Sequence, residues 1–186
     1  MKKTFQKGNT SGNYMRVRLN TDRLEDIVSM MSEQYLTRVG ILGSKTNRMK
    51  SVTNRKGMRR AGRESSSSTN ADIGLIHEKG SLSRHIPRRS FLEMPLVVKS
   101  DELLKVKKHL WDSLISGGQK GDDRMRLAYK KLGIAAENII QLAFTSGGYG
   151  RWAADKSSTI ARKRSSAPLI DTAQLRRSIT SMVVAK

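Results

Sequence analysis

The chain has 186 residues, with 36 Lys and Arg against 16 Asp and Glu, a formal charge of +20 and a pI near 10.8. It has no cysteine, which excludes disulfides, thiol catalysis and thiolate metal sites. Nothing approaches the run of about 20 apolar residues that crosses a bilayer, and no apolar leader core follows Met1, Lys2 and Lys3, so a protein in solution with no membrane partner is expected. The length suits one domain with residues to spare for arms. Apolar residues make up 37% of the chain, so the core should be modest and some apolar surface should need a partner. A charge this large makes nucleic acid or an acidic protein surface an attractive neighbour and is silent about fold.

Residues 1–13 are polar and rich in Gly, Asn, Thr and Lys, and read as a flexible N-terminal arm. Residues 14–20 alternate apolar and basic side chains, as a half-buried strand does. Thr21 and Asp22 offer a cap, and Leu24, Ile27, Val28 and Met31 follow at helical spacing, predicting a helix over 22–33. Residues 35–42 read as a second strand. Residues 43–69 then break the pattern. They carry Lys45, Arg48, Lys50, Arg55, Lys56, Arg59, Arg60 and Arg63 with almost no apolar residue, and end in the serine run 65–68. An insertion this long inside a compact domain is usually functional or disordered, and like charges extend it. It reads as a basic arm or hairpin that leaves the domain 14–186 and contacts DNA or a neighbouring subunit, with a solvated loop as the plain alternative.

Order resumes at Asn70. Ala71, Leu75 and Ile76 share a helical face, and Gly80 is the stop. Ile86 before Pro87 forces an extended corner. Phe91, Leu92, Leu96 and Val97 are helically spaced up to Lys99, and Leu103, Leu104, Val106, Leu110, Trp111 and Leu114 continue a helix to Gly117. A long helix is predicted over 122–144, with Met125, Leu127, Ala128, Leu132, Ile134, Ile139, Ile140 and Leu142 in its apolar set and the glycines of 147–150 as terminator. A polar loop over 150–168 holds one helical turn near 158–162. A turn over 171–175 precedes a last alternating strand, 178–184. That strand should bury Leu175 and Ile179 beside Phe91 and Ile139. The expected fold class is α+β: a small, mostly antiparallel sheet packed against two longer helices, with a long basic arm.

Candidate chemistry is sparse. His77 and Glu78 are adjacent, and adjacent helix residues point about 100° apart. The zinc-protease pattern needs a second His four residues after His77, where Ser81 stands. The two residues are expected to cap the helix end or bond the nearby turn. Asp171 and Thr172 precede a helical turn, where Asp is an N-cap. Pro87, Arg88 and Arg89 should make a rigid corner, with Phe91 and Leu92 anchoring the next helix. No nucleophile–base set, phosphate-cradling loop or dinucleotide fingerprint is present, so no catalytic, metal or cofactor site is expected, and the chain reads as a non-enzyme.

Four segments, in order, carry a resemblance. They are Ile76-His77-Glu78-Lys79-Gly80; Ile86-Pro87-Arg88-Arg89-Ser90-Phe91-Leu92; Thr159-Ile160-Ala161-Arg162-Lys163; and the run from Pro168 through Leu169, Ile170, Asp171, Thr172, Ala173, Gln174 and Leu175 to Ile179. Over about residues 71–184 the chain resembles the tail-completion and neck proteins of long-tailed bacteriophages, the virion morphogenesis group. Lys79 stands where that family has an aromatic residue, Ser90 where it has proline and Ala173 where it has glycine. The resemblance implies that His77, Glu78, Gly80, Pro87, Arg88, Phe91, Leu92, Asp171, Thr172 and Leu175 are structural. It implies a ring of six or twelve copies at the head–tail junction, a place in the virion neck after assembly in the host cytoplasm, and no cofactor. The implied partners are head connector or portal-side proteins, tail terminator or tail tube proteins, and DNA in the channel. Two rival readings remain: the tail terminator proper, or a freestanding basic nucleic-acid-binding protein.

Overall fold

The computed structural model describes residues 4–7, 15–18, 35–53, 59–116, 122–163 and 165–185. Strand β1 (Thr4–Lys7) pairs antiparallel with β2 (Met15–Arg18). The segment expected to be a featureless arm thus contains a strand, because the alternating run at 15–18 finds its partner there. The helix expected over 22–33 lies outside the described residues.

Strand β3 (Tyr35–Ile41) is followed by a 3-10 turn at Gly43–Thr46 and by β4 (Met49–Thr53) and β5 (Arg59–Ser65), which pair only with each other. The basic stretch is therefore a hairpin rather than unpaired chain. Its irregular register near Met49 and Ser51 marks a bulge. Helix α1 (Asn70–Lys79) begins at a capping box, in which the Thr69 hydroxyl accepts from the Asp72 amide and the Asp72 carboxylate accepts from the Thr69 amide. Helices α2 (Glu93–Val98), α3 (Ser100–Ser116) and α4 (Asp122–Thr145) follow, then the short α5 (Ser157–Lys163) and α6 (Gln174–Arg177), and finally β6 (Ile179–Ala185).

The α+β class holds. The last strand closes the fold by pairing antiparallel with β3, from Tyr35 opposite Ala185 to Ile41 opposite Ile179. This ribbon lies on α4, and α3 packs on α4 rather than on the strands. Gly133 makes the close approach of α4 possible, since a Cβ there would fall 2.6 Å from Ser181 Oγ. The main core joins Phe91, Ile140, Phe144, Leu175 and Ile179, with Trp152 edge-on to Phe144 at 5.7 Å. Leu175 and Ile179 meet Phe91 as expected, while the helix contributes Ile140 and Phe144 to this cluster in place of Ile139, which is buried elsewhere along α4. A second cluster gathers Leu114, Met125 and Ala128, with Tyr35 half-buried against it.

Two expectations about apolar faces change. Leu127, Ile134 and Leu142 are 46–56% exposed, because only one side of the 24-residue helix meets the ribbon and α3. In α1 the buried residues are Asn70, Gly74 and Glu78, while Leu75 is exposed. That helix is held by the polar contacts of Asn70 and Glu78 and by the close approach of Gly74 to Ile41, Phe91 and Leu175, not by a stripe of large apolar side chains.

A basic cleft bordered by the motif segments

Glu78 is the most connected polar side chain here. It is buried, and its carboxylate accepts from Ser90 Oγ at 2.6 Å and from the backbone amides of Phe91 at 2.8 Å, Leu92 at 3.0 Å and Glu93 at 3.2 Å. Those amides open α2, so Glu78 does from a distance what an N-cap does locally. Expected to cap its own helix end or bond the nearby turn, Glu78 instead reaches the start of the next helix at residues 90–93. Ser90 also accepts from the Met94 amide at 2.9 Å. Arg88 ties the same corner from outside, donating to the Glu78 carbonyl at 3.1 Å and pairing with exposed Glu93 at 3.0 Å. Gly80 permits this packing, because its φ is +78° and a Cβ there would lie 2.9 Å from the Arg88 nitrogen.

Behind this corner opens a cleft of about 940 Å³ between the turn 81–86 and the segments 153–163 and 169–175. Its buried wall is an ionic triad. Arg89 pairs with Asp155 at 3.0 Å, and Lys163 pairs with the other Asp155 oxygen; the three side chains are only 6–8% exposed. Arg89 also donates to the carbonyls of Ala153 at 2.8 Å and Ala154 at 3.0 Å, and Lys163 donates to Ala167 at 2.6 Å. Two cations on one anion leave a surplus positive charge, and the donor bonds to carbonyls offset its desolvation. His77 lines the cleft with Nδ1 buried and without a hydrogen-bond partner. Burial first, and Arg89 next, hold its imidazole below the ordinary value of 6.5, against a smaller opposing pull from Asp155.

The basic residues of 43–69 do not form one set. Arg48 turns into the body, donating to Asn70 Oδ1 at 3.0 Å and lining the cleft. Lys50 pairs with Glu64 across the hairpin at 2.8 Å, both exposed. Lys45 and Arg63 are exposed. Arg59 and Arg60 lie on β5 opposite Thr53 and Val52, and Arg55 and Lys56 lie outside the described residues. The hairpin base is fastened twice. Asn70 Nδ2 donates to the carbonyls of Lys45 at 3.1 Å and Asn47 at 2.7 Å. The Gln174 amide accepts from Met49 N at 2.7 Å and donates to Met49 O at 3.0 Å, as a paired strand residue would.

Asp171 is not an N-cap. Helix α6 starts at Gln174, and the residue before it, Ala173, has φ +58° and makes no side-chain cap bond. The left-handed step at Ala173 carries Asp171 two residues out of capping position, onto the cleft lining. Thr172 is buried and accepts from Gln174 at 2.9 Å. Pro87 sits on the cleft edge, Phe91 and Leu175 are in the core, and Leu92 packs against it. Reasoning from sequence missed Asn70, Asp155 and Gln174, and read Arg89 only as part of the corner after Pro87. Asp155 alone carried a signal, as the single acid among Arg151, Lys156, Arg162, Lys163 and Arg164.

Chemically the cleft is an anion-attracting surface whose lining is partly apolar. Among the described residues no group of three His, Cys, Asp or Glu side chains is placed to hold a metal ion, and no described helix is long and apolar enough to cross a membrane. Comparison with models of protein families, with curated proteins and with solved structures finds no match to this chain.

Proposed function

We propose that this chain is a structural subunit of the neck or tail-completion ring of a long-tailed bacteriophage, a non-enzyme that joins heads to tails or stabilises the joint. The observation that carries the reading is the convergence of the four resembling segments, distant in sequence, around one corner of the fold. Glu78 of the first caps the helix that follows the second. Lys163 of the third reaches Arg89 of the second through Asp155. Leu175 of the fourth packs on Phe91. Ala173, where the family has glycine, takes a positive φ that glycine adopts without strain.

The outer stripe of α4 supports assembly. Leu127, Ile134 and Leu142 are spaced by seven and eight residues, so they share one helix face, and that face is exposed. A heterologous contact through such a stripe closes into a ring when the rotation between copies permits. Partners above and below would be connector and tail proteins, with DNA in the channel. The purified chain tests this directly. Its mass in solution should be that of a closed ring of six or twelve copies, and Ile134→Asp should return it to monomer; a monomeric wild-type chain would count against the reading. The hairpin favours one second reading, a DNA-binding protein. In that case a monomer would bind duplex DNA with strongly salt-dependent affinity.

A further inference from the structure

We propose that the cleft between the turn 81–86 and segment 153–163 is a docking groove for an extended, acidic and apolar peptide segment of a partner protein. Three observations carry this.

The first is charge. Arg84, Lys156 and Arg162 stand exposed around the cleft, and Arg89 and Lys163 form its buried wall, where they already share Asp155. Across the whole lining, the six cations Arg48, Arg84, Arg89, Lys156, Arg162 and Lys163 outnumber the two anions Asp155 and Asp171, so the cleft is positive overall. A ligand bearing carboxylates is the complement.

The second is the apolar half of the lining. Leu82 is 96% exposed at the tip of the turn, although the turn is held shut by paired backbone bonds between Ser81 and Ile86 at 2.8 Å and 2.9 Å. Ile86, Pro87, Leu169 and Ile170 continue the apolar lining. A duplex phosphate backbone would satisfy the cations and leave these side chains uncovered. A peptide alternating acidic and apolar residues covers both.

The third is strain. Four non-glycine residues among those described have positive φ, and three of them line this cleft: His85 at +50°, Leu169 at +60° and Ala173 at +58°. Such conformations cost energy and gather at ligand clamps and other functional sites. The inference does not depend on the assembly reading, since a groove of this chemistry serves a monomer equally well.

The test uses the full chain and labelled peptides in fluorescence anisotropy. A peptide alternating Glu and Leu is the probe, with Gln/Leu and Glu/Ser versions and a duplex oligonucleotide as comparators. The Glu/Leu peptide should bind, and both comparator peptides should bind more than about tenfold more weakly. Arg162→Glu with Arg84→Glu, and separately Leu82→Ser, should each weaken Glu/Leu binding by more than about tenfold. All three positions are exposed, so the variants should keep the wild-type circular dichroism. The oligonucleotide should not displace the peptide. Absence of Glu/Leu binding, binding indifferent to Leu82→Ser, or displacement by oligonucleotide lost in the Arg84/Arg162 variant would each overturn the proposal; the last would make the cleft a nucleic-acid surface.

Discussion

Replacing Glu78 should do more damage than replacing any surface charge on the chain. Its carboxylate serves four donors, of which Ser90 Oγ and the Phe91 amide are buried while those of Leu92 and Glu93 are within reach of water. Leaving a buried donor without a partner costs about 1–3 kcal/mol, so two such donors come to about 2–6 kcal/mol. Removing an anion from the start of α2 adds about 0.3–1 kcal/mol. We expect Glu78→Ala to lose about 3–5 kcal/mol, read as a shift in the urea midpoint at unchanged slope. At about 2–4 °C per kcal/mol for a chain this long, the melting temperature should fall by about 6–20 °C. Glu78→Met keeps the bulk of the side chain and removes its oxygens, and it should lose nearly as much. A loss below about 1 kcal/mol in both variants would refute the capping role. A large loss in the alanine variant alone would mean that volume, not hydrogen bonding, is what Glu78 supplies.

Three further outcomes follow from the same geometry. Asp155→Ala strands Arg89 and Lys163 as buried cations and should cost about 3–5 kcal/mol by denaturant titration, whereas replacing all three triad residues with apolar ones of similar size should cost far less. Ala173→Gly relieves a left-handed alanine worth about 1–2 kcal/mol and gives back about 0.4–1 kcal/mol in unfolded-chain entropy, so a net gain of roughly 0.5–1 kcal/mol in the midpoint is expected. His77 titrates below 6.5 in the folded chain, so as pH falls through 6.5 the unfolded chain takes up a proton that the folded one does not. Stability should therefore decline as pH falls through 6.5, and His77→Gln should flatten that part of the curve.

The elements legible in the sequence were those set by short-range rules. Gly80 marks a helix end, the alternation over 178–184 gives the last strand to within a residue, and Ile179 reaches the core from that strand while Leu175 reaches it from α6. The face of α1 was misread because hydrophobic periodicity presumes that burial is apolar. Here Asn70 is buried to hold the hairpin base, Gly74 to admit Phe91, and Glu78 to cap another helix. Each of those partners is distant in sequence or invisible until the chain has folded. Asp171 misled for a related reason: Asp before a helical turn is an N-cap only if the helix starts at the next residue, and the left-handed Ala173 delays the start. The cleft was not legible as a cleft, although much of its lining comes from the four segments that carry the resemblance, because its wall is assembled from residues 77, 89, 155 and 163, far apart in the chain.

The proposed role at the head–tail junction is tested by electron microscopy of phage particles assembled without this chain. DNA-filled heads and finished tails should lie separate, with joining restored when the purified chain is added back. Normally joined particles in its absence would contradict it.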